Sequence, residues 1–187
     1  MKKQFLIAAA ACMLACVLGG CASQAPSEQE GAPESAVDAL SAVWAQYSDD
    51  ESFAVVGGDY AAMVEGAPGS CDVSDAASLK SILVVPEQDA ALIDDAASLV
   101  HAMNANTFTA GAFHLADAAN ADGFIGSYED AVMGNQWMCG FPEKLVVANL
   151  GNGYIVTMFG NGDLVENFKG KLVACYPSAD VAVEEVL

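Results

Sequence analysis

Two runs near the C-terminus constrain the fold more than anything else in the chain. Residues 144–150 (KLVVANL) and 154–159 (YIVTMF) are β-branched and aromatic, and Gly151-Asn152-Gly153 joins them with residues that tolerate positive φ. The pair reads as a β-hairpin. Both runs are apolar at successive positions, so neither face can lie open to water, and the strands belong inside a sheet or under helices.

The segments around the hairpin read as helices and one further strand. Ser35 can cap a helix, Asp38 follows three residues on as in a capping box, and Val37, Leu40, Trp44 and Tyr47 recur at helical spacing. Residues 53–64, broken by Gly57-Gly58, read mostly as loop, and residues 66–69 (GAPG) as a turn. Ser74-Asp75 starts a helix that Pro86 stops, with Leu79, Ile82 and Leu83 on one face. A further helix is expected over 89–104, with Leu92, Ile93, Leu99, Val100 and Met103 facing inward. Residues 107–116 (TFTAGAFHLA) read as a strand and 122–134 as a helix. Leu164, Val165, Phe168, Leu172 and Val173 place a last helix before Tyr176-Pro177, and the final ten residues form a short strand or lie loose. The C-terminal half then runs strand, helix, hairpin, helix. The expected class is α+β, a small antiparallel sheet with helices packed on one face.

The N-terminus carries an address. Lys2 and Lys3 precede an uncharged run from Phe5 to Leu18, long enough for a signal sequence and short of the ~20 residues of a membrane span. It closes on Leu18-Gly19-Gly20-Cys21, which resembles a bacterial lipobox, and that resemblance implies acylation of Cys21 after removal of residues 1–20. Residues 21–34 are Ser, Gln, Glu, Pro, Gly and Ala after the cysteine, too polar to bury surface, and read as a tether. Residues 35–187 are then one extracytoplasmic domain, held on a membrane by its acyl chains.

Charge excludes a class of partners. The chain holds six Lys and Arg against 25 Asp and Glu, a formal net charge of −19, and every one of the six is lysine. Loss of residues 1–20 leaves Lys80, Lys144, Lys169 and Lys171 as the only cations. Phosphate binding requires cationic side chains that displace counterions, so nucleic acid is excluded as a partner. Cationic partners and metal ions remain favoured by charge. Three thiols stay free after processing, Cys71, Cys139 and Cys175, and outside the cytoplasm any two of them can pair.

The lipobox, the tether and residues 108–173, above all KLVVANLGNGYIVTMFG followed by a Leu/Val/Phe helix, resemble small Gram-positive surface lipoproteins that share an uncharacterised C-terminal domain. The resemblance implies a surface lipoprotein and no catalytic residues.

Three local patterns could carry chemistry. Residues 117–129 (DAANADGFIGSYE) resemble an EF-hand calcium loop: Asn120, Asp122 and Gly123 match its third, fifth and sixth positions and Glu129 its bidentate end, while Ala118 stands where the first ligand belongs. Read plainly, the same residues cap a helix. Residues 137–142 (WMCGFP) are similar to a thioredoxin-type site without its second cysteine, so Cys139 is a candidate redox thiol or part of a buried aromatic corner. His101 and His114, the only histidines, could serve zinc only by converging with a thiolate or carboxylate. No serine sits in a nucleophile elbow and no glycine-rich loop has phosphate-binding form. The expectation is a non-enzymatic, membrane-anchored domain that binds an unknown ligand or surface protein, with a calcium module or a thiol-redox accessory as the alternatives.

Overall fold

The computed structural model describes residues 31–187. The signal sequence, Cys21 and the tether as far as residue 30 lie outside the described residues. In chain order the elements are α1 (Ala36–Trp44), β1 (Val55–Gly57), β2 (Val64–Glu65), β3 (Gly69–Ser70), α2 (Ala76–Leu83), β4 (Ile93–His101), β5 (Phe108–Leu115), α3 (Ala121–Met133), β6 (Lys144–Gly151), β7 (Tyr154–Gly160), α4 (Gly162–Cys175) and β8 (Asp180–Val186). The fold is α+β. The eight strands make one antiparallel sheet in the order β2-β1-β4-β5-β7-β6-β8, with β3 pairing β4 beyond the end of β1.

The β6–β7 hairpin lies within the sheet as its two-sided apolar pattern requires, flanked by β5 and β8. Gly151, Asn152 and Gly153 all take positive φ, the backbone that this short connector demands. Residues 107–116 form β5, and the tail closes the sheet as β8. Its outer edge carries Asp180, Glu184 and Glu185, charges that discourage edge-to-edge association. Lys144 and Lys169 both hold Glu166 of α4 and Glu184 of β8, which ties the last helix to the last strand.

The helices do not share one face. α1 and α4 cover one side, around Leu40, Val43, Leu99, Phe108, Met158 and Phe168, while α2 and α3 cover the other, around Leu79, Leu83, Phe113, Phe124, Tyr128 and Phe159. The reason lies in the strands. Val146, Val156 and Met158 face α1 and α4, whereas Leu145, Val147 and Ile155 between them face α2 and α3, so each side presents an apolar surface that needs a cover.

The helix expected over 89–104 is β4, preceded by a single 3-10 turn at Ala90–Leu92. The apolar positions there satisfy both periods, and the choice falls to the neighbouring strand. Residues 95–100 pair with Thr109–His114, and every side chain from Ala96 to Val100 is buried, which no helix with an outer face permits. Small residues cluster where α1 lies on the sheet: Ala36 and Ala39 share a cluster with Ala97, Ala110 and Ala112. Segment 53–64 is also more ordered than a loop reading allows, since β1 pairs with both β2 and β4. A Cβ on Gly57 would stand 2.2 Å from the Gly69 nitrogen, so β1 and β3 abut only because both residues are glycine.

Helix starts follow the sequence closely. Ser35 Oγ accepts from the Asp38 N–H, Asp75 from Ser78 and Asn161 from Asp163. Asp95 adds a long-range cap: its Oδ2 accepts the Ala36 N–H at 2.7 Å, which anchors the start of α1 to the near end of β4.

Between α2 and α3 the one polar contact deep in the core is the Tyr128 hydroxyl, which donates to the Leu83 carbonyl at 2.8 Å and accepts from Thr157 Oγ1 at 3.0 Å. Tyr128→Phe strands that carbonyl and that hydroxyl at a fully buried position, so it should cost about 1–3 kcal/mol. The check is the urea midpoint at unchanged m-value; a loss below about 0.5 kcal/mol would show that neighbouring groups resatisfy both atoms.

Candidate functional site

The C-terminal half of α2 lies between two adjoining hollows at the far end of the sheet. The larger, about 710 Å³, runs from α2 to the loop after α3 and is walled by Val84, Asn106, Trp137, Met138 and Cys139. The smaller, about 240 Å³, lies between α2 and the β1–β2 segment and is walled by Asp59, Tyr60, Met63, His101 and Met103. Ser81, Ile82, Asn104 and Ala105 line both, so the two hollows adjoin across the end of α2 and together make one elongated surface, called the groove below.

Its walls combine exposed apolar side chains with pinned backbone. Tyr60, Met63, Met103 and Met138 are 68, 65, 85 and 91 % exposed, unusual for large apolar residues that cluster around one depression. Methionine suits such a wall, being flexible and polarisable. The backbone beneath is held firmly. Asn106 Nδ2 donates to the Cys139 and Gly140 carbonyls at 2.8 and 3.0 Å, and His101 Nδ1 accepts the Met103 and Asn104 N–H groups. His101 also stacks on Phe53. Val84, on the larger hollow, has φ 60°, a left-handed backbone that costs a β-branched residue and concentrates at functional sites.

Asp59 is the electrostatic feature of the smaller hollow. It is only 7 % exposed, yet its carboxylate accepts from the N–H groups of Ala61, Ala62 and Asp72 at 2.9 Å each. These bonds, that from Asp72 foremost, hold its pKa below the ordinary 3.8 and keep it ionised. No lysine pairs with it. Each of the four described lysines has a carboxylate partner elsewhere: Lys80 with Glu87, Lys171 with Glu51, and Lys144 and Lys169 with Glu166 and Glu184.

The residues singled out from the sequence fall in different places. Asp117 caps a short 3-10 turn, Asn120 precedes α3, and Ala121–Met133 is continuous helix through the expected calcium loop. Asp122 and Glu129, seven residues apart on that helix, stand about 10 Å apart along its axis and cannot share an ion as loop ligands. Burial of Ala121, Phe124, Ile125, Tyr128 and Val132 along one face of α3 overrides the loop pattern. Among the described residues no group of three His, Cys, Asp or Glu could hold a metal ion. The three thiols are unpaired: Cys71 packs on the α2–α3 side, Cys175 on the α1–α4 side, and Cys139 lies exposed on the groove wall. Burial pushes the Cys71 thiol up to about 11 and raises Cys175 as well, away from the depressed values of redox thiols. The histidines lie at opposite ends of β4's surroundings. His101 is in the groove, while His114 Nδ1 meets Asp94 Oδ1 at 2.5 Å and its ring lies against Tyr154.

The sequence reading missed the groove. Met103 is expected inside a helix core and instead caps the exposed end of β4; the aromatic corner at 137–142 is only partly buried, Trp137 resting on Phe159 while Phe141 is 79 % exposed. One signal was available: Tyr60, Met63 and Met138 stand in segments without a clear period, where apolar residues have no core to enter.

No protein-family model matches the chain, and no curated protein or solved structure matches it either.

The Asp59 carboxylate has a direct test. Its folded pKa lies below its unfolded value, so its contribution to stability is complete above the ordinary carboxylate range and is lost as pH falls through the lower folded value. The carboxyl carbon of Asp59, followed by NMR, should titrate with a midpoint below 3.8; a midpoint at or above 3.8 would mean that the three N–H bonds do not hold the ionised form.

Proposed function

We propose that the chain is a lipid-anchored extracytoplasmic binding domain, tethered through Cys21 and non-enzymatic, whose groove is the ligand site. The observation that carries the reading is the position of the groove relative to the point where the tether joins. The chain enters the domain at α1, whose first N–H is bonded to Asp95 at the near end of β4. The groove begins at His101, at the other end of the same strand. Six residues of strand separate the two, about 20 Å. A domain held by its N-terminus thus carries this groove about 20 Å from the end of β4 at which the tether joins.

Other features agree with a role in binding. No helix among the described residues is long and apolar enough to cross a membrane, and in this reading acyl chains at Cys21 do the holding. The surface carries far more carboxylate than cation and repels anionic headgroups, which keeps the domain off the bilayer. The groove is elongated, mainly apolar and edged with amide side chains, the composition of a recognition site. It holds no nucleophile paired with a base: its one histidine uses Nδ1 to cap backbone N–H groups.

Cys139 lets the orientation be read in living cells. It is exposed on the groove wall, whereas Cys71 is buried and Cys175 half-buried. A membrane-impermeant maleimide added to intact cells should label the protein, and Cys139→Ser should abolish that label. Labelling that appears only after lysis would overturn the extracytoplasmic reading. In parallel, Cys21→Ala should shift the protein out of the membrane fraction or stall its processing; unchanged fractionation would overturn the anchor.

A further inference from the structure

Resting on the groove as the ligand site, we infer that its smaller hollow takes a lysine or arginine side chain of an extended polypeptide whose neighbouring residues lie along the larger hollow. The first ground is charge. Asp59 is a buried carboxylate with three N–H donors and no cationic partner, placed among the walls of an otherwise apolar hollow. An ionised carboxylate has about four acceptor positions, so one remains for a ligand. Backbone dipoles keep it ionised, and a cation brought within a few ångströms gains from the low local dielectric.

The second ground is the rest of that hollow. The Tyr60 ring is 68 % exposed there, its hydroxyl fixed by Ser81 Oγ at 3.2 Å, and an aromatic face beside a carboxylate is a standard receptor for ammonium or guanidinium. Met63 and Met103 supply flexible apolar walls for the methylene stem of a long cationic side chain. At about 240 Å³ the hollow accommodates one large side chain and no folded partner.

Shape and overall charge complete the argument. The hollow adjoins the larger one across Ser81, Ile82, Asn104 and Ala105, so an occupant that reaches both is elongated. The larger hollow has Asn135 and Gln136 on its wall, whose amides offer both donors and acceptors to a peptide backbone. With each described lysine already paired, the domain's field attracts cations and repels anionic ligands.

The test uses the full chain reconstituted in neutral phosphatidylcholine vesicles and a fluorescein-labelled heptapeptide of alternating serine and leucine with one central lysine, read by anisotropy. The same peptide with norleucine or glutamate at the centre serves as comparison. The lysine peptide should bind at least about tenfold more tightly than the norleucine peptide, and the glutamate peptide more weakly still. Asp59→Asn should remove the lysine preference, while Asp49→Asn, the same charge change at an exposed site, should preserve it. Should Asp59→Asn fail to fold, Met103→Lys carries the test: at an 85 % exposed position it sets a cation at the mouth of the hollow without burying anything, and should abolish the lysine preference. A lysine preference that survives both variants overturns the inference, as does equal binding of the three peptides. Equal binding accompanied by quenching of Trp137 leaves the groove as a ligand site for an uncharged apolar chain. Absence of binding by any peptide overturns the polypeptide inference and counts against the groove itself, and failure of the protein to float with the vesicles counts only against the anchor.

Discussion

Everything in this molecule depends on a sheet that is buried on both faces. An antiparallel sheet can leave one face to water, and then its strands alternate apolar and polar. Here β5, β6 and β7 are apolar at almost every position, because α1 and α4 close one side and α2 and α3 the other. The ladder must satisfy every backbone N–H and C=O beneath those helices, which continuous antiparallel pairing does. The cost of such an arrangement is specificity in side-chain size. Alanines on β4 and β5 accept α1 closely, while leucine and phenylalanine on the opposite face fill the space below α2 and α3.

That architecture also explains where the groove lies. The helices cover the middle of the sheet, and the connections at one end, β1 to β2, β4 to β5 and the loop after α3, must cross from element to element without a helix above them. Apolar residues in those connections have no core to enter and stand around a depression. Asparagine side chains replace the missing ladder by bonding loop carbonyls, as Asn106 does for Cys139 and Gly140. The left-handed Val84 at the end of α2 belongs to the same rim, a strained residue that the surrounding packing holds in place.

Charge follows a similar division. The described lysines lie in ion pairs, three of them in contacts that join α4 to other elements: Lys144 on β6 meets Glu166 of α4, Lys169 on α4 meets Glu184 of β8, and Lys171 on α4 reaches Glu51 beyond α1. Hydrogen bonds from Lys144 and Lys169 draw Glu184 down to about 2. Exposed pairs of this kind contribute little singly, but as a network they align the last helix with the edge strand. The remaining carboxylates give the surface its negative field, and among the described residues Asp59 alone is both buried and set in the groove.

Local rules were legible in the sequence wherever the signal was short-ranged. The hairpin with its Gly-Asn-Gly connector, the helix starts at Ser35 and Asp75, the strand at 107–116 and the helix over 122–134 depend on neighbours within a few residues, and sequence carries that information directly. What depends on distant partners was not legible. Residues 89–104 fit a helix as well as a strand until β5 lies beside them; the calcium-like spacing of Asn120, Asp122 and Glu129 gives way to α3, whose face of Phe124, Ile125, Tyr128 and Val132 is buried against the sheet. The amino-acid sequence thus determined the α+β class, the hairpin and the overwhelming negative charge. Only the tertiary structure decided that the helices occupy both faces, that β4 is a strand, and that Asp59, Tyr60, Met63 and Met103 meet around one hollow, because burial is a property of which surfaces come together and no single segment contains it.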